Sequence, residues 1–85
     1  MQIIFPHWYD DLYEFESEAR GCLLNFTIIV DHQEFYTNFY NSARFGQECE
    51  VEIKTNGYFQ DSKAVILEKV NKANIQYYFE KIIML

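Results

Sequence analysis

The sequence predicts a small α+β domain over residues 1–85. It has a three- to four-stranded, mostly antiparallel sheet with two or three helices packed on it, in the core order ββαβα. Three observations predict it. The run "LLNFTIIV" is rich in β-branched and aromatic residues and alternates with period two. "NKANIQYYFEKIIML" carries apolar residues at helical spacing. The chain has 85 residues, 49% hydrophobic and 19% aromatic, with one proline and three glycines. That suits one compact core and excludes a low-complexity or disordered chain.

In chain order, residues 2–5 form a short edge strand ended by Pro6, which has no N–H to donate. "HWYDDLYEFESEAR", residues 7–20, fits a helix on which Trp8, Leu12, Phe15 and Ala19 fall within one narrow sector and Asp10, Glu14 and Glu18 line up on another side. Gly21 is placed as its C-cap. The competing reading is a strand over 12–17.

A hairpin follows, with strands at about 23–31 and 34–40 around "DHQE". Leu24, Phe26, Ile28 and Val30 alternate on one face, Leu23 and Ile29 on the other. Apolar on both faces, this strand belongs inside the sheet.

"NSARFGQECEVEIKTNGYF" has two readings. A tight turn at Asn56-Gly57 would set Ile53 against Gln60, Val51 against Ser62 and Glu52 against Asp61. That pairs apolar with polar side chains and like with like charges, which is unfavourable. A helix stacks Phe45, Cys49 and Ile53, with Asn41 or Ser42 as N-cap and Gly57 as C-cap. The helix is the reading taken. A third strand at 63–70 is read as buried through its apolar run Ala64 to Leu67. The last helix has Asn71 as N-cap and Ile75, Phe79, Ile82 and Ile83 inward. The expected sheet order puts the 63–70 strand beside the 23–31 strand and antiparallel to it, with the two later helices on one face.

The formal charge is −6. Five acids against one arginine leave residues 7–20 at −4. Lys and Arg supply most affinity for nucleic-acid phosphates, so direct nucleic-acid binding is not expected. Tyr36, Asn38 and Tyr40 share a strand face that could stack bases, yet basic residues are scarce beside them. No apolar run approaches the ~20 residues that span a bilayer, and "MQIIF" lacks the features of a secretory signal. A cytoplasmic protein with reduced thiols is expected.

No catalytic motif is present, and the expectation is a protein without enzymatic activity, cofactor or metal. Cys22 and Cys49 are 27 residues apart, and neither has a histidine at zinc or nucleophile–base spacing. Acid pairs such as Asp10–Asp11 or Glu48–Glu52 read as solvated helix faces.

What stands out is the stripe Asp10, Glu14 and Glu18. Like charges four residues apart destabilise an isolated helix by roughly 0.2–0.5 kcal/mol per pair. A surface that meets a basic partner would gain from them. Trp8, Tyr9 and Tyr13 are residue types enriched at binding hot spots. The candidate partner-binding set is therefore Trp8, Tyr9, Asp10, Tyr13, Glu14 and Glu18. Small, acidic, tyrosine-rich and free of catalytic motifs, the chain resembles in composition small inhibitory or immunity proteins that neutralise a basic toxin or nuclease. The alternative is a small structural or regulatory homodimer, joined through the apolar end "EKIIML" or the sheet face.

Overall fold

The computed structural model describes residues 1–83. Its elements are β1 (Ile3–Ile4), α1 (Asp11–Arg20), β2 (Cys22–Val30), β3 (Gln33–Tyr40), α2 (Ser42–Asn56), β4 (Ala64–Ile66) and α3 (Lys72–Ile83). The four strands form one mixed, mostly antiparallel sheet in the order β1-β2-β3-β4. The predicted α+β class holds. The C-terminal pair Met84-Leu85, expected to be docked or in a subunit interface, lies outside the described residues.

β2 and β3 form the predicted hairpin. Its two-residue turn, Asp31-His32, has φ of 48° and 69°, the left-handed pair that matches strand twist in tight hairpins. Near its start β2 departs from simple alternation. The register slips between Leu23 and Phe26, and Asn25 takes φ of 55°. This bulge turns Leu23 to the same side as Phe26, Ile28 and Val30, all buried, and leaves Leu24 exposed. The expected grouping of Leu24 with Phe26 is thereby corrected.

The expected strand order is corrected too. β4 pairs with β3, and the two are parallel: Asn38 lies opposite Ala64 and Tyr40 opposite Ile66. β1 occupies the other side of β2 by pairing Ile4 with Ile29, so the strand returning through α2 takes the free edge of β3. β4 is also shorter than 63–70. Its Ile66 is exposed at that edge, and the chain leaves the sheet after Leu67, whose N–H still reaches Tyr40 O at 2.8 Å.

The core lies on one side of the sheet. Phe26, Ile28, Val30 and Phe39 meet Ile75 and Phe79 of α3, with Val70 and Tyr9 completing the cluster. Phe39 packs edge-on to Phe79 at 6.3 Å and Phe26 edge-on to Tyr9 at 5.2 Å. α3 buries Ile75 and Phe79 as predicted, while Ile82 and Ile83 are partly exposed.

α2 matches its predicted span and caps: Asn41 accepts the Arg44 N–H at 2.8 Å, and Gly57 closes the helix at φ of 86°. It does not join α3 on the core face. Its anchor is Phe45, against Tyr40 at 5.4 Å and Phe59 at 5.4 Å, and strand alternation puts Tyr40 on the side opposite Phe39. Cys49 is half-buried but Ile53 is exposed, and no residue of α2 is fully buried.

Candidate protein-binding surface

The segment 7–20 is a helix only from Asp11. Trp8 and Tyr9 lie in the turn before it, where Tyr9 N–H bonds Pro6 O at 3.1 Å. Asp10 is the N-cap and accepts the Tyr13 N–H at 3.0 Å. Gly21, at φ of 75°, ends the helix and passes the chain directly into β2.

The helix packs the opposite way round from its hydrophobic pattern. Phe5 and Tyr9, from the chain ahead of it, already cover Phe26. α1 therefore turns its polar side inward. Its one fully buried residue is Ser17. The Ser17 hydroxyl lies 2.9 Å from the Tyr9 hydroxyl, 2.9 Å from Val70 O and 3.0 Å from Glu14 O. With one proton, Ser17 donates to a carbonyl and can accept from Tyr9. The Tyr9 phenol is held above its ordinary 10.0, first by burial; the Ser17 hydrogen bond opposes the shift and the Glu14 and Glu18 charges add to it.

The acidic stripe has an internal use. Glu14 accepts the Lys72 N–H, the first amide of α3, at 2.7 Å. Glu18 accepts from the Asn71 side chain at 3.0 Å, and Asn71 in turn caps α3 by accepting the Asn74 N–H at 2.9 Å. Two carboxylates thus face the positive end of a helix, which offsets their mutual repulsion.

Of the six residues singled out from sequence, Tyr9 is 2% exposed. It is a core residue and cannot touch a partner directly. Asp10, Glu14 and Glu18 remain at the surface or half-buried but each holds an internal hydrogen bond. Trp8 and Tyr13 are exposed and pack edge-on to each other at 5.2 Å. With Arg20, Cys22 and Leu24 they line a groove of ≈370 Å³ between α1 and β2. Arg20 is bonded to Glu16 at 3.0 Å.

Leu12 and Phe15 are exposed residues that the candidate set leaves out. They are 64% and 71% exposed, and with Ala19 they form the outward side of α1, opposite Ser17. The spacing groups them in one sector but does not say whether that sector faces the sheet or the solvent. The result is an exposed apolar patch of Leu12, Phe15 and Ala19, edged by Asp11 and Glu16, and the Glu16–Arg20 ion pair separates it from the groove that Trp8, Tyr13 and Leu24 line. Scattered exposed apolar residues are ordinary, but a contiguous patch with a charged rim marks interaction surfaces.

The remaining candidates do not converge. Among the described residues no three His, Cys, Asp or Glu side chains form a group able to hold a metal. Glu48 pairs with Arg44 at 3.0 Å and Glu52 accepts from Asn56 at 2.6 Å. Tyr36 shares a face with Asn38 and Tyr40; its hydroxyl donates to Asn25, and Lys63 Nζ lies 4.2 Å from its ring centre. No described helix is long and apolar enough to cross a membrane. No protein-family model, curated protein or solved structure matches the chain.

Proposed function

We propose that the chain is a non-enzymatic protein-binding domain that takes a basic protein partner on the outward face of α1. The observation that carries this reading is the reversed packing of α1, which leaves Leu12 and Phe15 in water on its outward side. Burying a leucine or phenylalanine side chain yields roughly 1.5–3 kcal/mol, a gain the isolated domain forgoes at two positions. The rim carries Asp11 and Glu16, and the segment 7–20 is net −4, five acids against one arginine. A partner with an apolar anchor flanked by lysine or arginine complements both features. An inhibitory or immunity-type role is the concrete form of the proposal.

Immobilised wild type, Phe15→Asp and Leu12→Asp proteins are compared for capture from native lysate at low and high salt. The expected result is one basic protein held by wild type at low salt, released at high salt and lost from both variants. Equal capture by all three removes the assignment.

A homodimer through the C-terminal half is the second reading. Exposed Ile66 and Tyr77 flank a groove of ≈340 Å³ between β4 and α3. A monomeric mass at micromolar concentration removes it.

A further inference from the structure

The sheet has a vacant strand position, and Pro6 marks where it begins. β1 pairs only with Ile29 and Val30 of β2, while β2 runs back to Cys22. The side of β2 that faces β1 is fixed by one bond: Asp31 N–H reaches Gln2 O at 2.9 Å. Backbone groups of an antiparallel strand alternate sides, so Ile29 and then Thr27 point the same way as Asp31. The residue that would continue β1 opposite Thr27 is Pro6. It has no N–H to offer the Thr27 carbonyl, and its own carbonyl is taken by Tyr9 N–H. The chain turns away there over the core. From Thr27 back to Cys22, six residues and about 20 Å at 3.4 Å per residue, that edge of β2 has no neighbouring strand among the described residues.

This open edge borders the groove of Trp8, Tyr13, Arg20 and Leu24. Along one line the protein therefore offers backbone groups without a strand neighbour, apart from the Asn25 N–H, which bonds Asn38 Oδ1 at 2.7 Å, and an aromatic wall that includes Arg20, all beside the segment 7–20 of net charge −4. Resting on the binding role proposed above, we infer that the partner enters this groove as an extended segment that adds a strand to β2. Such a segment places alternate apolar side chains against Trp8 and Tyr13 and carries lysine or arginine at its ends, towards the acids of residues 7–20. Main-chain pairing gives affinity and the alternate side chains give selectivity. The bulge at Asn25 confines regular pairing to the neighbourhood of Thr27 and makes the site selective among strands.

The test uses a capped nonapeptide, Lys-Lys-Val-Thr-Val-Thr-Val-Lys-Lys, titrated into the isotope-labelled domain. Expected is saturable binding that shifts the Leu24 and Thr27 amides and slows their hydrogen exchange. Thr27→Pro removes the outward N–H and no bond to β3, and proline is tolerated at strand edges. It should weaken the peptide about tenfold, the order expected for one lost hydrogen bond and its geometry, with an unchanged circular dichroism melt. Independently of any variant's folding, N-methylation of the peptide's central valine should weaken binding to wild type equally. Full-strength binding of the N-methylated peptide, or no binding at millimolar peptide, overturns strand addition. So does protection of the same amides in the protein alone with a doubling of mass, which identifies a second copy as the occupant. Partner capture lost in Phe15→Asp but unchanged in Thr27→Pro leaves the α1 surface standing and removes the strand.

Discussion

The Glu14 carboxylate accepts the backbone N–H of Lys72 at 2.7 Å, so a side chain from the first helix caps the last one. Residues 58 positions apart are joined at the most electropositive point of α3. Glu14→Gln keeps an acceptor and loses the charge, and is expected to destabilise by about 0.3–1 kcal/mol. Glu14→Ala loses both and should cost about 1–2 kcal/mol. Thermal melts read the difference, at ~4–8 °C per kcal/mol for a domain of this size. An alanine variant as stable as wild type would show that the contact contributes nothing.

Ser17 and Tyr9 act as one unit. Ser17→Ala leaves the buried Tyr9 hydroxyl without its partner and should cost about 1–3 kcal/mol. Adding Tyr9→Phe removes the stranded group, so the double variant should be less destabilised than the two single effects added together. A double-mutant cycle by denaturant unfolding measures the coupling. Additive effects would mean that the two hydroxyls do not interact.

Alkaline pH should unfold the domain through its phenols. Tyr9 and Tyr40 are both raised above 10.0, each first by burial, with Glu14 and Glu18 adding at Tyr9 and Asp61 and Glu48 at Tyr40. A raised folded value means that the native state holds the proton more tightly than the unfolded chain. The contribution is complete below pH 10 and is lost as pH climbs through the folded value. Stability measured between pH 8 and 12 should fall above pH 10, and less steeply in Tyr9→Phe.

The two helix-ending glycines should respond differently to alanine. Both have positive φ, 75° at Gly21 and 86° at Gly57, but a Cβ at Gly57 meets nothing within 4 Å. Gly57→Ala should cost about 1–2 kcal/mol from backbone conformation alone. At Gly21 the added carbon would lie 2.5 Å from Asn41 Nδ2. That side chain is committed to capping α2, so Gly21→Ala should cost clearly more. Equal melting temperatures for the two variants would show that Asn41 moves aside freely.

Much of the fold is legible in the sequence because local patterns agree with the final packing. The β2–β3 hairpin, the span and caps of α2, and Asn71 at the head of α3 all follow from short-range signals. What is not legible depends on competition for space. The bulge at Asn25 comes from a backbone slip that period-two counting cannot register. β4 takes β3 as its neighbour because Ile3 and Ile4, two residues of weak signal, occupy β2. The orientation of α1 was decided by Phe5 and Tyr9, which lie outside the helix. The site shares that limit. Residue type singles out Trp8 and Tyr13, which are exposed, whereas the narrow sector of Leu12, Phe15 and Ala19 does not say by itself which way the helix turns.

Helix α2 is held to the rest of the molecule by Phe45 and its N-cap, with Cys49 half-buried, and no residue of its distal turns is fully buried. Such a segment can melt as a separate cooperative unit while the hairpin and α3 stay intact. With the helix melted, β3 and β4 would be joined by a flexible tether spanning 41–63, and the free energy of closing such a loop grows only slowly with its length. The cheapest opening of the domain is therefore expected at the distal turns of α2, whose amides should exchange before those of the hairpin and of the helix that carries the α1 surface.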